Sequence, residues 1–335
     1  LLELSLGSAI CLELLTAFLW GSWYQVIKRI GDYPIPAFMI WLYLFSNAII
    51  WGAAVLFRSV FVPQGIFAAV AEKPGLSLFC FLCGIPFGVG IQIGMMIMKK
   101  VGLILSISIM SPLGILSGTI IPMLVSGLPE GITPATLILI SLVFLGGTLL
   151  SQLSGALRDR ERRARGDLRA RDGTARPDAK IYLLFGINIL LGFGYTLGVS
   201  YGMASVTNPD ALPPMLCCAI ICLGALAGTL ILSSVRLVHT RELGRFFHTP
   251  PKVVLFSFLS AIGHFGGNVT NMMAAPLLSL SVAWPITTTS NIWAYFWGIL
   301  YGEFEGTSRK VKGLLAAGVL LYAAGVLFLY MALYR

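Results

Sequence analysis

Ten stretches of about twenty apolar residues succeed one another along this chain, at 5–27, 36–56, 76–98, 103–126, 133–153, 181–201, 213–238, 253–275, 282–301 and 313–334. About twenty such residues, coiled as a helix, cross the hydrocarbon of a bilayer, and the short connections leave no room for a soluble domain. Composition agrees: of 335 residues 57% are hydrophobic and 11% charged, against about 25% charged in an ordinary soluble domain. In hydrocarbon every backbone N–H and C=O must be satisfied internally, which leaves helices or a closed barrel. A barrel needs alternating strands of about ten residues, and these stretches do not alternate. The sequence therefore predicts an all-α integral membrane protein with ten transmembrane helices. The first stretch lacks a basic leader and a small-residue cleavage site and is as long as a full span, so it reads as a helix and not as a signal peptide.

Basic residues stay on the cytoplasmic side of a membrane. The connections after the first, third, fifth, seventh and ninth stretches hold 20 of the 23 Lys and Arg, and only Arg58, Lys73 and Arg335 fall on the other side. Both termini are thus expected outside, in the cytoplasmic (inner) membrane. The formal net charge of +9 follows from topology and is no sign of nucleic-acid binding. The richest run, 154–180, separates five stretches (1–153) from five (181–335). It reads as a solvated basic linker, with anionic lipid headgroups as the alternative role. All six cysteines lie within spans. Cys80 and Cys83 have metal-like spacing but no His or further Cys partner, so they read as packing; no metal and no cofactor is expected.

One phrase occurs twice. Residues 105–113 read LSISIMSPL and residues 278–286 read LSLSVAWPI, both Ser-x-Ser-x-x-x-Pro, each at the fourth stretch of its set of five. Because five is odd, the two sets would lie inverted in the membrane, and inverted repeats place a solute site at their interface near the midplane. Pro112 and Pro285 each lack an N–H and displace the carbonyl four residues earlier, on Ser108 and Ser281. They are expected as helix breaks, with simple kinking as the plainer alternative.

Polar residues at helical spacing mark faces that lipid would not accept. Glu13, Ala17, Trp20 and Tyr24 share one face of the first stretch, His264, Asn268 and Asn271 one of the eighth, and Trp284, Thr288, Asn291 and Tyr295 one of the ninth, while the third brings Gln92. Trp20, Tyr24, Gln92, Ser108, His264, Asn268, Trp284, Thr288 and Asn291 are accordingly the expected solute-binding residues. Amides would bond the edges of a neutral polar solute and rings cover its apolar face. Glu13 is the carboxylate well inside a span and His264 the imidazole, and intramembrane ionisable groups are functional candidates. A carboxyl out of water disfavours its charged form, so Glu13 is the expected proton-coupling group and His264 the second candidate. The alternatives are a Glu13 that reaches the outer interface and a His264 that bonds a neighbouring helix. Asn268-Val-Thr270 fits a glycosylation sequon but sits within a span, out of reach.

Three segments carry a resemblance: FLWGSWYQVIKRI at 18–30, GIPFGVGIQIGMMIMKKVGLILSISIMSPLGILSGTIIPML at 84–124 and YFWGILYGEFEGTSRKVKG at 295–313. With five plus five inverted helices, the chain resembles the drug/metabolite transporter superfamily over essentially its whole length. Within it, the chain is most similar to the L-rhamnose/proton symporter branch and related sugar and ureide permeases. The resemblance implies uptake of a small neutral solute, a sugar such as a deoxyhexose, driven by protons through alternating access. The pattern Gly298, Gly302, Glu303, Gly306, Ser308, Arg309 matches a family-like end of the ninth helix, where it would shape packing and the cytoplasmic turn.

The rival within the superfamily is an exporter of amino acids, metabolites or drugs. An enzyme is not expected, since no His-Glu-x-x-His, Gly-x-Ser-x-Gly or phosphate-loop sequence occurs. Neither a filter motif nor charge rings point to a channel. The expected partners are the solute, the proton and membrane lipid. The two halves would rock about a site lined by the first, third, fourth, sixth, eighth and ninth helices, with Gly192, Gly194, Gly266 and Gly267 easing the sliding.

Overall fold

A computed structural model describes residues 4–101, 103–166 and 179–334 and, within them, all side chains except those at 103–105, 107–109, 111–113 and 116. Helix α1 (Leu6–Ser22) runs into a 3₁₀ turn at Trp23–Lys28. After α2 (Ile35–Leu56) come the short α3 (Arg58–Phe61) and α4 (Ile66–Glu72), then α5 (Pro74–Val101), α6 (Leu103–Val125) and α7 (Pro134–Ala164). The second part holds α8 (Ala179–Gly202), α9 (Pro214–His239) and the short α10 (Leu243–Phe247). Helix α11 (Pro251–Ala261) passes through a π turn at Ile262–Gly266 into α12 (Gly267–Leu278), followed by α13 (Leu280–Thr287), α14 (Ser290–Leu300) and α15 (Arg309–Leu333). Among the described residues, eight helical segments are long and apolar enough to cross a membrane. The protein is all-helical, with the architecture of an integral membrane protein.

The helix starts are written in the sequence. Ser5, Thr133 and Ser308 accept hydrogen bonds from the backbone N–H three residues on, at 3.2, 3.1 and 3.4 Å, each satisfying a donor the first turn leaves free. Helices α7, α9 and α11 open on Pro134, Pro214 and Pro251, where a missing N–H costs nothing.

Small residues set the packing. Gly84 and Gly88 of α5 face Gly224, Ala225 and Gly228 of α9 so closely that a methyl group on any of these glycines would overlap the opposing backbone. Side chains give no hydrophobic drive between helices in lipid, so contact of this kind holds them together. Helix α5 also lies against α8, α1 against α12, α13 and α14, α2 against α9 and α11, α6 against α7, α8 and α13, and α7 against α15.

Three expectations change. Helix α6 runs unbroken through position 112, so Pro112 is not a helix break; its side chain and that of Ser108 lie outside the described residues. Pro285 sits inside α13, and the interruption comes after it, at Thr288–Thr289. There Thr287, Thr288 and Thr289 donate through their hydroxyls to the carbonyls of Trp284, Pro285 and Ile286 at 2.8, 2.6 and 2.7 Å. Three threonines in a row thus add side-chain bonds to carbonyls at the helix end that also accept from the backbone N–H groups of Thr288 and Thr289. The turn between α12 and α13 is a single residue, Ser279, at φ 63° and ψ 154°, a region nearly confined to glycine and costing about 1–3 kcal/mol. The basic run 154–180 is also only partly a linker. Through Ala164 it continues α7, and residues 167–178 lie outside the described residues.

Candidate functional site

Helix α1 runs antiparallel to α12, and their facing residues form a ladder. The Trp20 Nε1 donates to the His264 carbonyl at 3.1 Å, and Thr16 and Thr270 share a hydroxyl hydrogen bond of 2.7 Å. The π turn explains the first contact. A π turn loosens the helical ladder locally, and the His264 carbonyl there accepts from two side chains, Trp20 and, at 2.8 Å, the Asn268 Nδ2.

The other face of Asn268 is taken by α8: the Tyr195 hydroxyl donates to Asn268 Oδ1 at 2.5 Å. Around Tyr195 the rings close up, with centroid distances of 6.5 Å to Trp20, 6.0 Å to Trp284 and 4.8 Å to Phe87. Trp20 and Trp284 are themselves 6.0 Å apart, and the Trp284 Nε1 is anchored to the Gly114 carbonyl of α6 at 3.0 Å. Side chains from α1, α5, α8, α12 and α13 thus converge on one aromatic platform with an amide at its edge.

Glu13 lies two turns before Trp20 on α1, fully buried, and neither carboxylate oxygen has a hydrogen-bond partner. Tyr195 is within electrostatic reach, and Asn271 stands beside the Tyr195 hydroxyl but outside hydrogen-bonding geometry, its own amide unpartnered. A charge taken out of water with nothing to pair it is costly, so this position suits a carboxyl that is protonated or engaged by a ligand. His264 is enclosed by rings: Trp23 at 4.5 Å, Phe265 at 5.0 Å, Tyr43 at 5.9 Å and Phe87 at 6.2 Å. Its Nε2 and the Tyr43 hydroxyl are buried without partners.

Of the expected binding residues, Trp20, His264, Asn268 and Trp284 come together, with Glu13 and Asn271 alongside. Tyr24, Gln92, Thr288 and Asn291 do not join them. Gln92 accepts from Ser233 of α9 at 3.0 Å. Asn291 donates to Tyr322 at 3.1 Å, which pairs with Thr148 of α7 at 2.7 Å, and Thr288 bonds its own helix. Tyr24 falls on the 3₁₀ turn, within electrostatic reach of Tyr322, while Trp23 takes the place against His264. Tyr195, Phe87, Tyr43 and Trp23 are additions that the sequence did not single out. Gly194 and Gly267 pack against Pro86 and Trp20, whereas a side chain at Gly192 would meet nothing within 4 Å.

No family model matches the sequence, and no curated protein matches it. A solved structure, described only as the crystal structure of a protein, aligns with 98% of this chain and 98% of its own at a TM-score of 0.57 and 15% identity. At that identity the likeness speaks for the arrangement of helices and for nothing beyond it.

Proposed function

We propose that the protein is a secondary carrier that moves a small neutral polar solute, a sugar such as a deoxyhexose, coupled to protons by alternating access. The observation that carries this reading is Glu13: a fully buried, unpartnered carboxyl on the helix that also supplies Trp20 to the aromatic platform. A group so placed exchanges a proton when solvent reaches it from one side, and a solute on the platform changes that access. Rings at stacking distance with the Asn268 amide at their edge suit a ligand with an apolar face and polar rim.

In this reading α6 and the broken pair α13–α14 complete ten spans, arranged as two inverted sets of five with both termini outside, in the inner membrane. The packing supports it. Exchanging α1, α2, α5, α6 and α7 with α8, α9, α11–α12, α13–α14 and α15 turns the contacts of α5 with α8 and α9 into those of α12 with α1 and α11 with α2. It turns α1 on α13–α14 into α8 on α6. The pairs α2–α9, α6–α13 and α7–α15 map onto themselves. The position of the basic residues supports the orientation.

The test is solute-triggered charge movement in proteoliposomes, across deoxyhexoses, hexoses, pentoses, ureides and amino acids. A neutral sugar should drive a transient current that Glu13→Gln abolishes while solute binding survives. No current with any neutral solute, together with counterflow of an amino acid or cationic drug, would instead make the protein an exporter.

A further inference from the structure

At the end of the bundle where most basic residues gather, a cavity of about 350 Å³ opens beside α2, α10 and α11, lined by Tyr33, Gly244, Arg245, His248 and Pro250. Four of these residues share one short connection, at 244–250, and Tyr33 joins them from another more than 200 residues away in the chain. The cavity is cationic. Arg245 holds Glu242 at 3.0 Å and the Asp32 carbonyl at 3.0 Å, yet its side chain is 46% exposed. His248 is fixed through Nδ1 on the Gly244 carbonyl at 2.9 Å, which leaves Nε2 for another partner. Lys99 reaches in from α5 to the Tyr33 carbonyl at 3.0 Å, and Lys100, Arg241 and Lys252, close to these residues in sequence, are exposed. Asp32 and Glu242 offset only part of this charge.

Thr249, between the lining residues His248 and Pro250, joins the cavity to a neighbouring aromatic strip. Tyr33 and Trp41 both bond the Thr249 hydroxyl, at 2.6 and 3.0 Å, which pins the start of α11 to α2 and holds the indole N–H at the rim. From Trp41 the rings run one turn along α2 to Phe45 at 5.8 Å and across to Phe258 of α11 at 5.5 Å. Phe246 lies 5.6 Å from Trp41, and Phe247 beside it is 71% exposed. Tryptophan and tyrosine side by side, here Trp41 and Tyr33, are the pattern of a membrane interface.

We propose that this is a binding site for one anionic phospholipid. Its phosphate lies against Arg245 and His248 as a charge-assisted contact, its glycerol over Tyr33 and Pro250, and an acyl chain along Trp41, Phe45 and Phe258. A free phosphate would use the cations and ignore the strip, so the juxtaposition of the two commits the site to a lipid. Basic pockets between membrane helices bind such headgroups. The proposal is independent of the carrier reading.

Trp41 supplies the readout. In vesicles of equal mole fraction, brominated phosphatidylglycerol should quench Trp41 more than brominated phosphatidylcholine does, with Trp41 isolated as the difference between wild type and Trp41→Phe. The preference should vanish in Arg245→Gln with His248→Gln and persist in Lys310→Gln, a basic residue elsewhere at the same end. Equal quenching by the two lipids overturns the proposal. So does a preference untouched by the double substitution, which would reflect general attraction to a basic rim, and so does displacement by soluble glycerol phosphate, which would make the cavity a phosphate site. Should the double variant fail to fold, Phe45→Leu with Phe258→Leu should weaken the quenching by either lipid, and unchanged quenching there sinks the lipid reading.

Discussion

Tyr195 joins the site through its ring and through one polar atom. Its hydroxyl donates to Asn268 Oδ1 at 2.5 Å, and both residues are almost wholly buried. Tyr195→Phe keeps the ring and strands the amide oxygen, so it should cost about 1–3 kcal/mol of stability, the desolvation of one unsatisfied acceptor. Replacing both partners, Tyr195→Phe with Asn268→Leu, should cost less than the sum of the two single changes in thermal unfolding. Additive losses would mean the pair is not coupled. Tyr195 is hard to single out in the sequence because its polar companion on the same face, Asn188, stands two turns away with only apolar residues and glycine between them at helical spacing; its flanking Gly194 and Gly198, which let α5 approach, are the available signal. Glu13 and Trp20 are legible because the face of α1 repeats undisturbed from one to the other, and His264 and Asn268 because the single π turn keeps them on adjoining turns. Tyr24, Thr288 and Asn291 were assigned to the same faces by a wheel that fails physically: the 3₁₀ turn after Ser22 and the interruption at Thr288–Thr289 rotate everything beyond them. Gln92 shows a different limit. Periodicity tells that a residue is buried, but α5 is flanked by both α8 and α9, and spacing does not say which one a side chain meets.

At the scale of elements, the positions of the long apolar helices follow from hydropathy, while the manner of their contact lies in glycines whose role depends on the neighbour. Gly88 and Gly192 look alike in sequence. The structure separates them, for a Cβ at Gly88 would overlap Ala225 of α9, whereas one at Gly192 meets open space. Gly88→Leu should therefore abolish the folded, monodisperse protein in size-exclusion chromatography, and Gly192→Leu should leave the elution profile as wild type. Equal damage from both would show that helix flexibility, and not close approach of α5 and α9, is what these glycines supply. The repeated phrase teaches the same lesson. Its two prolines occupy equivalent places, yet only the second copy is followed by a threonine run able to cap an interrupted helix, and only there does the helix stop.

Across the whole molecule, one carboxylate ties distant parts of the chain together at the basic end. Glu303 receives Lys28, which follows α1, at 2.5 Å and Arg158 of α7 at 2.6 Å, from a turn shaped by Gly302 and Gly306 at φ 70° and 68°. Arg158 also pairs with Asp159 at 2.9 Å and covers the Phe304 ring at 4.6 Å. The sequence presents it as one of many charges in RDRERRAR. The helix continues the spacing Phe144, Thr148, Ser151, Gly155, Arg158 beyond the apolar stretch, so the face that packs on α15 carries this arginine inward. The two halves of the node should differ in strength. The Lys28 side chain is 38% exposed and the Arg158 side chain 3%. An exposed pair contributes about 0–1 kcal/mol, whereas removing one partner of a buried pair costs about 3–5 kcal/mol because the other charge is stranded. Lys28→Gln should scarcely move the thermal midpoint, and Arg158→Gln and Glu303→Gln should both lower it clearly. Arg158→Leu with Glu303→Leu should cost less than the sum of the two single changes, because the contact between them is then lost only once. Similar midpoints for Lys28→Gln and Arg158→Gln would mean that water reaches Arg158, and the turn after α14 would then be held by its glycines and not by its charges.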